Sequence, residues 1–319
     1  MSPYIELHAH SAFSFLDGAS HVEELVFRAK ELGYPALALT DHNGLYGSME
    51  FAQAARAEGL QPITGAEVTL ELDLPGLPSG IVDPARITGR EDPLTRGTHM
   101  TLLAETPTGY ANLCRLLSEA HLESERGLPT LLLSSLLRRN EGLIALTGCR
   151  RSPLLLALQD SVATGEILAR RLLEAFGPEN LFIELQDNHV RGDAVRGRIL
   201  GRLADRLGIP VVATGNVHYH RPERHRLQDI LASIRNRATL DGSHDRRRPN
   251  AQAYLAAPME MAHRFRTRPD ALANTLRIAE RCSAFDLTRD LGYEFPDFEG
   301  SDRGGALETL EAIDRKSVV

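Results

Sequence analysis

Tryptophan is absent from the 319 residues, and aromatic side chains make up only 5% of them. An extensive stacking platform for nucleobases, which needs exposed rings, is therefore not expected. Positive charge is also short. Lys and Arg number 36 against 43 Asp and Glu, a formal net charge of −7. That excludes a surface that grips nucleic acid by overall basicity, but not a local basic patch. No apolar run reaches the ~18 residues of a membrane span. No basic stretch followed by an apolar core opens the chain, so no signal peptide is expected. The cysteines are only three, Cys114, Cys149 and Cys282, and lie far apart. They suit a reducing cytoplasm better than a disulfide framework. What is present is ordinary for a globular protein: 42% hydrophobic and 25% charged residues. The length suits one large α/β barrel or two smaller domains.

Short apolar runs alternate with helical patterns. Strands are expected near Tyr4–Leu7, Ala36–Thr40, Gln61–Leu70, Met100–Ala104, Gly142–Thr147, Leu181–Leu185 and Pro210–Thr214. Helices fall between them, over Val22–Leu32 with Ser20 as N-cap, Gly47–Glu58, Tyr110–Leu122, 161–176 and 194–207. Such alternation implies parallel βαβ units, and seven strands favour a barrel-like sheet. Residues 73–97, rich in Pro and Gly, read as a surface insertion. Residues 221–298 read as a mostly helical extension and 299–319 as a flexible tail, after a barrel over 1–220.

The polar residues at the strand ends carry the chemistry. His8 and His10 close the first run, one residue apart, so they share a strand face about 6–7 Å from each other. Asp17 follows. Asp41 and His42 end the second run, Glu67 lies in the third, Cys149 follows the fifth, and Asn216 and His218 follow the last. His99 instead begins its strand and needs special geometry to join them. In an α/β barrel the carboxyl ends of the strands meet on one face. Five histidines, two carboxylates and a thiol exceed the four ligands of a closed structural zinc site. They point to two or three ions sharing a carboxylate, as in phosphoesterases.

The stretches "LHAHSAFSFLDG", "LTDHNGLYGSMEF", "ITGAEV" and "ATGNVHYHRPERHRLQD" resemble the polymerase-and-histidinol-phosphatase (PHP) domain. More narrowly they are similar to that domain as it begins the bacterial C-family DNA polymerases, in their error-prone branch. "RRRPNAQAYLAAPMEMAHRF", "ALANTLRIAERC" and "LGYEFPD" resemble the segment leading into the polymerase proper. The resemblance implies a distorted seven-stranded α/β barrel (the PHP fold) and up to three divalent ions. One would take His8, His10, Glu67 and Asn216; a second Glu67, His99 and Cys149; a third Asp17, His42 and His218. Asn216 departs from the family's Asp and, lacking charge, binds a hard cation more weakly. The family's polymerase continues for several hundred residues with magnesium-binding carboxylates. The last 22 residues do not resemble that continuation, so a polymerase site is not expected here.

The expected function is thus a metal-dependent phosphoesterase, with a 3′–5′ exonuclease on DNA as the natural activity. Glu67 would be catalytic and Asp41 would orient His42. The thiol suits zinc or manganese. Arg221, Arg224 and His220 would contact substrate phosphate, with DNA and other polymerase or repair subunits as partners. Two rivals stand beside it: a metal-stabilised structural module without catalysis, and a small-molecule phosphatase of the histidinol-phosphate type.

Overall fold

The computed structural model describes residues 4–77 and 97–292, together with Leu310, Glu311 and Asp314. Most of the expected insertion and tail lies outside the described residues. Seven strands form one sheet: β1 (Ala36–Leu39), β2 (Gln61–Glu71), β3 (Thr98–Ala104), β4 (Leu131–Leu132), β5 (Leu143–Leu146), β6 (Leu181–Gln186) and β7 (Val211–Thr214). They run in the order β1-β2-β3-β5-β6-β7, and β4 adds to β2. β1, β5 and β7 are buried along their whole length, which is why they read as unbroken apolar runs rather than alternating ones.

The sheet is mixed, not all parallel. β3 pairs antiparallel with both β2 and β5, while β1–β2, β5–β6 and β6–β7 are parallel. β3 starts beside the end of β2, with Thr98 opposite Leu70, so the chain turns back at the same end of the sheet.

The expected first strand is not a continuous ladder, because its backbone bonds are split between two neighbours. Glu6 and Ala9 carbonyls accept from Ala38 and Thr40 on one side; His10 N–H and the His8 carbonyl bond Val217 on the other. The segment thereby joins the two edge strands and closes the distorted barrel.

Helices α1 (Val22–Glu31), α2 (Ser48–Ala57), α3 (Pro107–Glu123), α4 (Leu133–Arg138), α5 (Pro153–Asp160), α6 (Val162–Phe176), α7 (Asp193–Leu207), α8 (His225–Arg235), α9 (Pro258–Arg264) and α10 (Pro269–Cys282) complete the described fold. The N-cap of α1 is His21 rather than Ser20, whose hydroxyl instead lies 2.7 Å from His220 Nδ1. The barrel interior is filled by Ile5, Leu7, Ile63, Leu103, Leu146 and Phe182. Its floor is closed by α10, which inserts Ile278, Ala279 and Cys282 into the same cluster. Polar bonds tie α10 to the amino-terminal ends of the strands: Asn274 donates to the Val211 carbonyl and Gln61 to the Ala279 carbonyl. No helix among the described residues is long and apolar enough to cross a membrane.

Candidate metal centre

Glu67 is the hub of the opposite end. Its side chain is buried on β2, with Oε1 3.2 Å from His8 Nε2. Oε2 lies 2.8 Å from His42 Nδ1, 3.3 Å from His99 Nδ1 and 3.8 Å from His10 Nε2. The reversal of β3 answers the question posed by His99. An antiparallel strand begins where its parallel neighbours end, and His99 pairs opposite Thr69, on the same face as Glu67. Cys149 Sγ comes within 3.9 Å of His99 Nδ1. On the other flank His10 stacks on His42, with ring centres 4.2 Å apart. Asp17 Oδ2 stands 3.2 Å from His42 Nε2 and 2.9 Å from His218 Nε2. Three sets have ligand atoms converging within 4.8 Å: His8–His10–Glu67, His42–Glu67–His99 and His10–His42–His218. Asn216 is buried nearby in the left-handed region, at φ 49°.

Asp41 does not reach the His42 ring. Its oxygens accept from Ser11 N–H (2.7 Å), the Ser11 hydroxyl (2.8 Å) and the Ser14 hydroxyl (2.6 Å), fixing the turn after His10. Ser14 Oγ in turn accepts from His42 N–H and lies 3.2 Å from His10 Nδ1, so Asp41 acts on both histidines through Ser14. The carboxylate that orients an imidazole directly is Glu184, unforeseen from sequence, at 2.6 Å from His8 Nδ1. Glu184 is fully buried; Gln186 and Gly148 N–H groups and the Thr214 hydroxyl donate to it. The available signal was an acidic residue inside the apolar run "LFIEL", where a buried charge requires partners.

The donor set fits a metal. His8 Nε2, His10 Nε2, His99 Nε2, Glu67 Oε1 and Asn216 Oδ1 are buried with no hydrogen-bond partner. Such groups are costly unless something else meets them. The electrostatics agree. Burial opposes charge on the three histidines and on Glu67, yet the His99, His42 and His8 imidazoles hold Glu67 well below the carboxylate range. Burial depresses His8 too, but Glu184 and Glu67 outweigh it and raise its pKa to about 10. His42 is raised to about 9 against burial, chiefly by Glu67 and then Asp17. His218 falls to about 4 through burial and the Arg248 charge, and His10 falls well below its ordinary value through burial. Burial and Glu67 push the Cys149 thiol well up.

A cavity of about 480 Å³ opens over these residues. Its basic wall comes from Arg150, Arg151 and Arg246–Arg248. Arg221, Arg224 and His220 do not line it. Arg221 pairs with Glu31 at 2.9 Å, Arg224 pairs with Glu24, and His220 bonds Ser20. Acidic partners on α1 draw the two arginines away from the cavity.

A family profile described as the PHP domain matches residues 6–188. An error-prone DNA polymerase of Symbiobacterium thermophilum is 40% identical over 325 residues, covering 96% of this chain and 28% of that protein. The DNA polymerase III subunit alpha of Treponema pallidum is 37% identical over 282 residues, 88% of this chain and 23% of its own. The chain thus spans about a quarter of the length of these relatives. A solved structure from Bifidobacterium adolescentis, provisionally described as a metal-dependent phosphoesterase, aligns with TM-score 0.45 at 15% identity, over 68% of this chain and 88% of that one.

Proposed function

The chain belongs to the PHP domain family, and from that premise we propose that it is a metal-dependent phosphoesterase acting on phosphodiesters, as a 3′–5′ exonuclease on DNA. The carrying observation is Glu67: one buried carboxylate faced by four imidazoles, amid ring nitrogens that have no hydrogen-bond partner. Up to three divalent ions would be held, one by His8, His10, Glu67 and Asn216, one by Glu67, His99 and Cys149, one by Asp17, His42 and His218. Bound there, such ions supply Lewis acidity toward a phosphoryl group and make a water more acidic. The thiol in the set favours zinc or manganese over magnesium.

The protein's own residues do the positioning. Glu184 accepts from His8 Nδ1–H, which leaves Nε2, facing Glu67, as the nitrogen that would give up its proton to an ion. His218 Nδ1, 2.9 Å from the Asn216 carbonyl, donates there and leaves its Nε2 as the ligand atom. Asp41, through Ser14, keeps the His10 and His42 rings stacked. The arginines of the cavity wall would take the charge of the substrate phosphates and make binding salt-dependent. DNA as substrate, other polymerase or repair subunits as partners, and a cytoplasmic setting rest on the polymerase relatives and on the cysteine pattern.

Asn216 favours a second reading, a metal-stabilised module that supports a polymerase without cleaving anything. The test is elemental analysis of the purified chain beside a manganese-supplemented assay on 3′-labelled single-stranded DNA. Cleavage that Glu67→Ala abolishes supports the enzyme. Bound metal with no cleavage, in both wild type and His10→Ala, supports the module.

A further inference from the structure

Asp17 Oδ2 and His218 Nε2 lie 2.9 Å apart. With the Nδ1 proton of His218 directed to the Asn216 carbonyl and Nε2 met by an arginine N–H, both of these atoms are acceptors, and two acceptors that close repel unless a cation stands beside them. The Arg248 guanidinium is that cation. Its Nη2 bonds His218 Nε2 and stands 3.7 Å from Asp17 Oδ2. His42 Nε2, 3.2 Å from the same Asp17 oxygen, completes the surround. The other Asp17 oxygen is taken by Arg235 Nη1 at 2.8 Å, which anchors the carboxylate independently of Arg248.

We propose that Arg248 is a built-in cation occupying the position of the third ion at Asp17–His42–His218, which a divalent ion must displace to load. The inference rests on the metal-dependent reading above. The fit of the arginine is incomplete: its Nε is buried without a partner. The flanking loop is tied down by Arg247 on Asp229 (3.0 Å) and by Asn250 Nδ2 donating to the Asn188 carbonyl (2.8 Å). Exchange therefore needs only a rotation of the Arg248 side chain. Arg248 already lines the cavity, so the displaced guanidinium, with its fixed fork of donors, turns to where a substrate phosphate would enter. Ion loading and phosphate binding would then favour each other reciprocally.

The test counts bound manganese by electron paramagnetic resonance of the free ion, with no activity readout. Wild type, Arg248→Gln and Arg248→Ala are titrated, with folding checked by circular dichroism; either folded variant decides. The expected result is a gain of about tenfold or more in affinity for one of the bound ions, lost when His218→Ala is added. Unchanged affinity in the single variants overturns the proposal. So does a gain that persists beside His218→Ala, because Arg248 would then act by general charge and not at this position. Failure of the metal-dependent reading looks different: wild type and all variants would bind no manganese at any position.

Discussion

At the scale of single residues, the centre depends on charges that are buried and mutually satisfied. Glu184→Gln keeps the shape of the side chain beside His8 but removes the charge that fixes its imidazole. Metal affinity is expected to fall by about 10–100-fold, as for other orienting partners of ligating histidines, with the fold intact in a manganese titration read beside circular dichroism. Asn216→Asp adds the missing negative charge. The backbone there is left-handed at φ 49°, a region Asp tolerates nearly as well as Asn, so the exchange brings little strain. Tighter uptake at the His8–His10–Glu67 set is expected; equal affinity would count against the role proposed for residue 216. Arg248 was legible as part of a basic run, but nothing in a run of three arginines says which one turns inward. Asp41 was legible as important and misread in its partner, because adjacency to His42 in sequence says nothing about which way the side chain faces.

At the scale of elements, β3 is the instructive case. The apolar run at 100–104 was readable as a strand, and the residues at strand ends were readable as chemistry. Strand direction was not, because pattern and propensity are the same read forwards or backwards. Only the antiparallel register brings His99 to Glu67. The helix at 269–282 fell in the stretch readable as mostly helical, but its destination was not legible. It fills the barrel floor through Ile278, Ala279 and Cys282, all buried. Ile278→Ala is expected to cost roughly 2–5 kcal/mol, the range for truncating a buried aliphatic side chain. Urea denaturation measures it. Manganese uptake by the folded fraction should stay unchanged, because the helix lies at the opposite end from the ligands. A loss of less than about 0.5 kcal/mol, the level of surface substitutions, would mean that the floor is not packed as described.

For the whole molecule, protonation and metal loading are coupled. Without metal, His8 titrates at about 10 and His42 at about 9, against an unfolded value of ~6.5. Both therefore carry a proton at neutral pH that an ion must displace. Metal affinity should rise as pH climbs from 6 toward 9, with proton release visible by calorimetry in buffers of different ionisation enthalpy; a flat profile would contradict the ligand assignment. The sign for stability is the reverse. Raised histidine pKa values stabilise the metal-free fold fully below ~6.5, and that contribution is lost as pH passes through the folded values. The chelated protein should consequently melt lower at pH 10 than at pH 7. Loading should offset this: at a free-ion concentration of 100 times Kd, binding one ion adds about 2.7 kcal/mol. Removing metal by chelation should thus lower the melting temperature measurably, and most at alkaline pH.

The way α10 seats in the barrel also bears on how the protein can be handled. A fragment trimmed after the last ligand-bearing loop, near residue 220, would keep every proposed ligand and leave a greasy well open at its base, where Ile278, Ala279 and Cys282 belong. Such a piece should clump during purification. A cut placed after Leu287, whose own side chain is buried, should yield a workable crystallisation sample.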